Sequence, residues 1–128
     1  MMNNRDNLIS IIVPCYNEEH AIPYFYRAIT EHSTLMKNEF GVDFEYLFIN
    51  DGSVDNTLTV LKEYASKDNR VKYISFSRNF GKESAMYAGL KNASGNYIAI
   101  MDADLQDPPY MLTEMYKTII ESDYDCVA

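Results

Sequence analysis

Four short apolar runs, separated by stretches of helical periodicity, constrain this chain more than any other feature. Leu8 to Val13 is almost wholly apolar and ends at Pro14. Tyr46-Leu47-Phe48-Ile49, Val71-Lys72-Tyr73-Ile74-Ser75-Phe76 and Tyr97 to Met101 follow. Runs of this length without strict alternation read as strands buried on both faces. Between them, apolar residues recur at helical spacing: Ile22, Phe25, Ile29 and Met36, then Leu58, Leu61 and Ala65, then Met86, Leu90 and Ala93. Beyond the fourth run, Leu112, Met115, Tyr116 and Ile119 keep the same rhythm. Strand and helix therefore alternate four times. That order specifies an α/β fold, a mostly parallel sheet with helices on both faces and right-handed crossovers.

The punctuation between elements agrees with this plan. Asn17 and Asp55 are predicted N-caps, since a short polar side chain there accepts a free helical N–H. Asp107 is predicted to cap a helix that opens on Pro108-Pro109, where missing N–H groups cost nothing. Gly95 is predicted to close the third helix in a left-handed conformation. Tyr124 to Ala128 reads as the opening of a fifth strand with no partner loop behind it. No linker or low-complexity segment divides residues 1–128, which read as part of one domain.

Charge narrows the ligands. The net charge is −8, with only eleven Lys and Arg, which argues against nucleic acid as a partner. An anionic small molecule is repelled as well, unless a divalent cation stands between it and the protein. No run approaches the ~20 apolar residues that span a bilayer, and the first residues lack the apolar core of a signal peptide. Cys15 and Cys126 match no metal-ligand spacing and suit the reduced thiols of a cytoplasmic protein.

In open parallel sheets, ligands bind beyond the carboxyl ends of the strands. Those ends carry Pro14-Cys15-Tyr16-Asn17-Glu18, Asn50-Asp51-Gly52-Ser53, Ser77-Arg78-Asn79-Phe80-Gly81-Lys82 and Asp102-Ala103-Asp104-Leu105-Gln106. Asp102 and Asp104 are two apart in an extended segment, so both side chains point to one side. Two such carboxylates repel unless joined by a hard cation such as Mg²⁺ or Mn²⁺, which commonly bridges a carboxylate to a diphosphate. Gln106 offers another oxygen. Taken alone, the tripeptide equally suits a turn followed by a cap. Asp51 has the chemistry to accept from a base N–H, with Gly52 leaving room for close approach. The same pair also suits a plain turn. Tyr16 can stack on a base or fill core; Glu18 can accept from a ribose or only favour a helix N-terminus. Arg78 and Lys82 flank a helix start, where N–H groups favour anions. The P-loop pattern fails, because its first Gly falls at Phe76, and the dinucleotide Gly-x-Gly-x-x-Gly pattern is absent after the first strand.

Together these four loops resemble a known family. Ile11-Ile12-Val13-Pro14-Cys15-Tyr16-Asn17-Glu18 is similar to the opening of family 2 glycosyltransferases of the GT-A (Rossmann-like) fold. Ile49-Asn50-Asp51-Gly52-Ser53-Val54-Asp55 resembles their second nucleotide loop, usually Asp-Asp-Gly-Ser, with Asn50 in place of the first Asp. Ser77 to Ala85 and Asp102 to Pro109 resemble the polyprenyl-phosphate branch, the dolichyl-phosphate mannose synthase and bactoprenol glucosyltransferase group. The resemblance implies a nucleotide-sugar pocket lined by Pro14, Tyr16, Glu18, Ile49, Asp51, Gly52 and Lys82, with Asp51 on the base. It implies Asp102 near ribose or diphosphate beside Ala103, Asp102 and Asp104 as catalytic carboxylates, and Asp104 with Gln106 on Mg²⁺ or Mn²⁺. The implied reaction moves a hexose from a UDP- or GDP-sugar to a polyprenyl phosphate at the cytoplasmic face of a membrane.

The acceptor half and the membrane helices of that family do not appear in these residues. The chain therefore reads as the nucleotide-binding half, expected to bind nucleotide weakly and to transfer no sugar by itself. Two other readings fit an α/β nucleotide fold. A nucleotidyltransferase calls for a Gly-rich basic loop after the first strand, where Pro14-Cys15-Tyr16 stands instead. A non-catalytic relative is expected to lose the Asp pair, which is present.

Overall fold

All four apolar runs form strands in the computed structural model, which describes residues 7–122. They are β1 (Leu8–Cys15), β2 (Asp43–Asn50), β3 (Val71–Ser75) and β4 (Tyr97–Ile100). Helices α1 (Ala21–Phe40), α2 (Thr57–Lys67), α3 (Lys82–Asn92) and α4 (Tyr110–Ser122) alternate with them. The strand expected over Tyr124 to Ala128 lies outside the described residues. The sheet is parallel throughout, in the order β3-β2-β1-β4.

This order follows from the connections. The chain steps outward from β1 to β2 to β3, then returns across the sheet to place β4 on the free side of β1. Right-handed crossovers therefore put α1 and α2 on one face and α3 on the other. Register sorts the side chains to match. Ile11 sits opposite Tyr46 and Ala99, and Ile12 opposite Leu47 and Ile100. The first set joins Phe25, Ile29, Leu61, Leu112 and Tyr116 in the larger core, beneath α1, α2 and α4. Of the second set, Ile12 and Leu47 meet α3 at Ala85, and Ile100 stays exposed. Each fully buried large side chain contributes about 1.5–3 kcal/mol.

Helix α1 buries the stripe Ile22, Phe25, Ile29 and Met36, as its spacing predicts. Ser33 is buried with them because its hydroxyl donates to the Ile29 carbonyl and accepts from the Tyr46 hydroxyl, at 2.6 Å each. Gly41 closes this helix at φ 72°, its N–H donating to the Lys37 carbonyl. The left-handed closure thus falls after α1.

Gly95 has a different task. A Cβ there would meet Ser10 Oγ at 2.6 Å and the Leu8 carbonyl oxygen at 2.7 Å, so glycine lets the β4 entry lie against β1. Helix α3 departs from its predicted face too. Ala85 and Gly89 are buried, whereas Leu90 is 47% exposed. A Cβ on Gly89 would stand 2.4 Å from Ile12 Cγ2, so only small residues let this helix lie directly on β1. The N-caps shift as well. His20 precedes α1 and Asn56 precedes α2, neither with a side-chain cap bond. Pro108 and Pro109 sit just ahead of α4, their carbonyls accepting from Met111 and Leu112.

Candidate active site

The order of the strands reverses between β1 and β4, so the loops leaving these neighbours diverge. A crevice opens at such a switch point. Here it is a cleft of about 300 Å³, floored by Pro14 and Cys15 and walled by the loops after β1 and β4.

The first two loops are built as one unit. Asn17 adopts φ 54°, a left-handed conformation that Asn tolerates better than most residues. Its N–H donates to Ser53 Oγ and its side-chain oxygen accepts from the Val54 N–H, both at 2.9 Å. The Glu18 N–H donates to Thr57 Oγ1 at 2.9 Å, and the Glu19 N–H to Asp55 Oδ2 at 3.3 Å. Asn17 and Asp55 therefore tie loop to loop. Asp55 also accepts from the Thr57 N–H at 2.9 Å, the capping bond its position predicts, whereas Asn17 bonds the second loop instead of a helix. Partial burial pushes the Asp55 carboxyl upward, but hydrogen bonds from Thr57 and Glu19 outweigh it and hold the group below its ordinary range.

Asp51 fastens the third loop to this unit. Its N–H donates to the Cys15 carbonyl at 2.8 Å, which places it beside the cleft floor. Its carboxylate is nearly buried and accepts from the Phe80 N–H at 2.8 Å, the Gly81 N–H at 3.0 Å and Asn79 Nδ2 at 3.2 Å. Gly52 permits this arrangement. A Cβ on it would stand 2.1 Å from the Arg78 carbonyl carbon, so the space beside Gly52 holds protein backbone rather than a ligand. Ile49 is also off the cleft, packed with Ile12, Leu47 and Ala85 behind it. Arg78 turns away and lies over the Phe80 ring, at 4.8 Å.

The remaining sequence-predicted residues converge. Tyr16, Glu18, Lys82, Asp102, Ala103, Asp104 and Gln106 all line the cleft. Tyr16 is 46% exposed, which rules out the core-filling role. Lys82, the first residue of α3, reaches across to Asp102 at 2.7 Å. Gln106 Nε2 donates to Asp104 Oδ2 at 3.0 Å. Ala103 is buried in the large core between the two aspartates. Burial, then the charges of Asp104, Asp102 and Asp55, raise the Glu18 carboxyl above its ordinary value. Negative potential therefore concentrates where the loops meet.

Among the described residues no group of three His, Cys, Asp or Glu side chains is placed to hold a metal alone. Asp104 and Gln106 both carry side-chain oxygens at the cleft, since a half-turn of the Gln106 amide exchanges its nitrogen for oxygen. That sparse oxygen set fits a hard ion that keeps most of its shell for water and phosphate.

Two further residues carry no mark of their role in the sequence. Cys15 lines the floor, its thiol pushed up by burial and then by the Glu18 charge, so it is an inert wall. Asn79 is a spacer in the sequence, yet it bonds both the Asp51 carboxylate and the Asp51 carbonyl. His32 takes no part; its ring joins Thr113 on α4 at 2.7 Å.

Known proteins share this frame. TarS 1–349 of S. aureus superposes with a TM-score of 0.71 at 28% identity, over 91% of this chain and 33% of that one. Its structure in complex with UDP-GlcNAc superposes with a TM-score of 0.68. The GT-A arrangement expected from the sequence is thus the one observed. CsbB of Bacillus subtilis (strain 168) is 47% identical over 123 residues, 96% of this chain and 36% of that protein. A bactoprenol glucosyl transferase of Shigella phage SfV is 48% identical over 100 residues, 78% of this chain and 31% of that protein. The chain therefore spans about a third of the length of these relatives. The family described as Glycosyl transferase family 2 matches residues 10–128, and the chain belongs to that family.

Proposed function

We propose that residues 1–128 form the donor-binding part of a glycosyltransferase that moves a hexose from a UDP- or GDP-sugar to a polyprenyl phosphate. One observation carries this reading: the β1, β3 and β4 loops bring Tyr16, Glu18, Lys82, Asp102, Asp104 and Gln106 around one cleft at the switch point. The UDP-GlcNAc complex of TarS supports a nucleotide-sugar in such a cleft. The name of the phage SfV relative supports a polyprenyl phosphate acceptor.

In this reading Pro14 and Cys15 floor the nucleoside site, and Tyr16 stacks on its exposed face. Asp51 stands at the inner end, where a base N–H meets a carboxylate already fixed by three donors. Ile49 and Gly52 act behind the wall, supporting α3 and admitting the third loop. Asp102 lies toward the ribose and diphosphate. Asp104 and Gln106 hold Mg²⁺ or Mn²⁺, which when bound neutralises charge on the departing diphosphate. Lys82 exchanges Asp102 for a diphosphate oxygen and stabilises the same developing charge. The reaction breaks the bond between the anomeric carbon and the diphosphate oxygen. A phosphate oxygen of the acceptor forms the new one.

The test is a calorimetric titration of UDP and GDP into the chain, with Mn²⁺ and with EDTA, beside the variant Asp104→Asn. Binding of one nucleotide that is tighter in Mn²⁺ than in EDTA, with that gain lost in the variant, is the expected result and selects the base. A folded sample that binds neither nucleotide under either condition rejects the donor-site assignment for this chain.

A further inference from the structure

Only two non-glycine residues among those described adopt positive φ, Asn17 at 54° and Leu105 at 57°. Asn visits that region readily; leucine does so at a cost, because its Cβ crowds the backbone. The Leu105 side chain is half-buried and packs against the large core. Its N–H donates to the Asp102 carbonyl at 3.2 Å, closing a tight turn over the two aspartates. Directly after it, the Gln106 N–H and Nε2 donate to the two Asp104 oxygens, at 3.3 Å and 3.0 Å. Reversal of the chain at Leu105 is what folds the Gln106 N–H back onto the Asp104 carboxylate. Extended backbone at 105 would carry the Gln106 N–H away from Asp104. Among the described residues, no hydrogen bond from the other three loops reaches 103–107; Asp102 alone is tied, through Lys82.

We propose that Leu105 is the positioning residue for the metal-holding pair. Its half-buried apolar side chain, packed against the core, holds the left-handed turn that keeps Gln106 bonded to Asp104. The anchor opposes the backbone's own preference, so the pair's geometry is maintained by packing rather than by a glycine. This rests on the reading that Asp104 and Gln106 hold the divalent ion, and it concerns a residue that touches neither ion nor nucleotide.

The experiment compares the full chain with Leu105→Met, Leu105→Ala and Leu105→Ile. The readouts are free Mn²⁺ by electron paramagnetic resonance in the presence of UDP or GDP, nucleotide affinity in EDTA, and circular dichroism. Leu105→Met keeps the anchor and is expected to match the parent within about twofold. Leu105→Ala loses the anchor, and Leu105→Ile keeps apolar bulk but adds a branch that opposes positive φ. Both are expected to weaken Mn²⁺ roughly tenfold, the usual effect of disturbing a residue behind a ligand. Nucleotide affinity in EDTA and the circular dichroism spectrum should not move, which a general loss of structure would not allow. Folded Ala and Ile variants that hold Mn²⁺ as the parent does overturn the positioning role. A parent chain whose nucleotide binding ignores Mn²⁺ overturns the metal reading itself, and the inference with it.

Discussion

The two walls of the cleft are built on opposite principles. Loops after β1, β2 and β3 form one bonded body: Asn17 and Ser53 interlock, Thr57 and Asp55 receive the Glu18 and Glu19 N–H groups, and Asp51 fastens Phe80 and Gly81. The loop after β4 has one exposed ion pair to that body, Lys82 with Asp102, and a half-buried leucine packed against the core. A nucleoside needs a fixed slot, because affinity comes from shape and directional hydrogen bonds. A metal-diphosphate changes charge and geometry during reaction, and a wall held by one exchangeable ion pair can follow it. In the proposed donor site, the contrast gives base recognition to the rigid wall and charge handling to the adjustable one.

The most damaging test of the rigid wall is Gly52→Ala. The new Cβ would fall 2.1–2.2 Å from Arg78 and Asn79 backbone atoms, at a residue with φ 67°. Backbone has to move, and the loss of stability is expected to exceed about 3 kcal/mol by denaturant titration. A variant as stable as the parent would show that the second and third loops are not locked together.

Asp51→Asn is the next largest. An amide that leaves its oxygen for the Phe80 N–H turns a donor toward both the Gly81 N–H and Asn79 Nδ2, so two bonds to the carboxylate are lost and two donors are opposed. About 2 kcal/mol of destabilisation is expected, with loss of nucleotide binding in EDTA as well as in Mn²⁺. Weakening confined to Mn²⁺ would move Asp51 out of the rigid wall and into the metal site.

Much of this was legible in the sequence, for definite reasons. Strands buried on both faces have to be apolar, so β1 and β2 stand out at once, whereas the edge strands β3 and β4 keep residues exposed despite their apolar runs. Helix α1 presents a broad stripe of large residues to the larger core, so its periodicity survives reading. Helix α3 does not, because it lies directly on Ile12, where Ala85 and Gly89 fit and larger residues do not. A search for large apolar residues finds Met86 and Leu90 and so selects the wrong face. The cleft residues were legible as four polar clusters on one edge. What each cluster bonds to was not. Asn17, Asp55 and Gly52 look like caps and turns locally, and their long-range partners lie 26 to 37 positions away, across other crossovers.

Acidity separates two carboxylates of this rim. Asp55 has a folded value below its unfolded one, so its contribution is present above the unfolded value near pH 4 and fades as pH falls through the folded value. Glu18 has a raised folded value, so its contribution is complete below its unfolded value and is lost as pH rises through the folded one. Asp55→Asn should therefore lower Tm at pH 7, by less at pH 3. Glu18→Gln should raise Tm at pH 7 and leave it unchanged at pH 3. The opposite signs at neutral pH are the point: one carboxylate welds loops, and the other is kept under repulsion for a ligand. Equal signs would erase the distinction.

The smallest effect on stability, and the sharpest on function, belongs to Lys82→Ala. The Lys82–Asp102 pair is exposed, with the lysine side chain 59% accessible. Exposed pairs contribute about 0–1 kcal/mol, so denaturant titration should place the variant within roughly 0.5 kcal/mol of the parent. Binding should respond differently according to the ligand. A nucleoside has no diphosphate for Lys82 to meet, and its affinity should hold. The nucleoside diphosphate loses one charge-assisted hydrogen bond of about 1.5–3 kcal/mol, so its affinity should fall at least tenfold. Parallel titrations of uridine with UDP, and of guanosine with GDP, separate the two. A fall shared equally by nucleoside and diphosphate would mean that Lys82 supports the rigid wall. A fall confined to the diphosphate would establish that the ion pair is the point where the adjustable wall opens to its ligand.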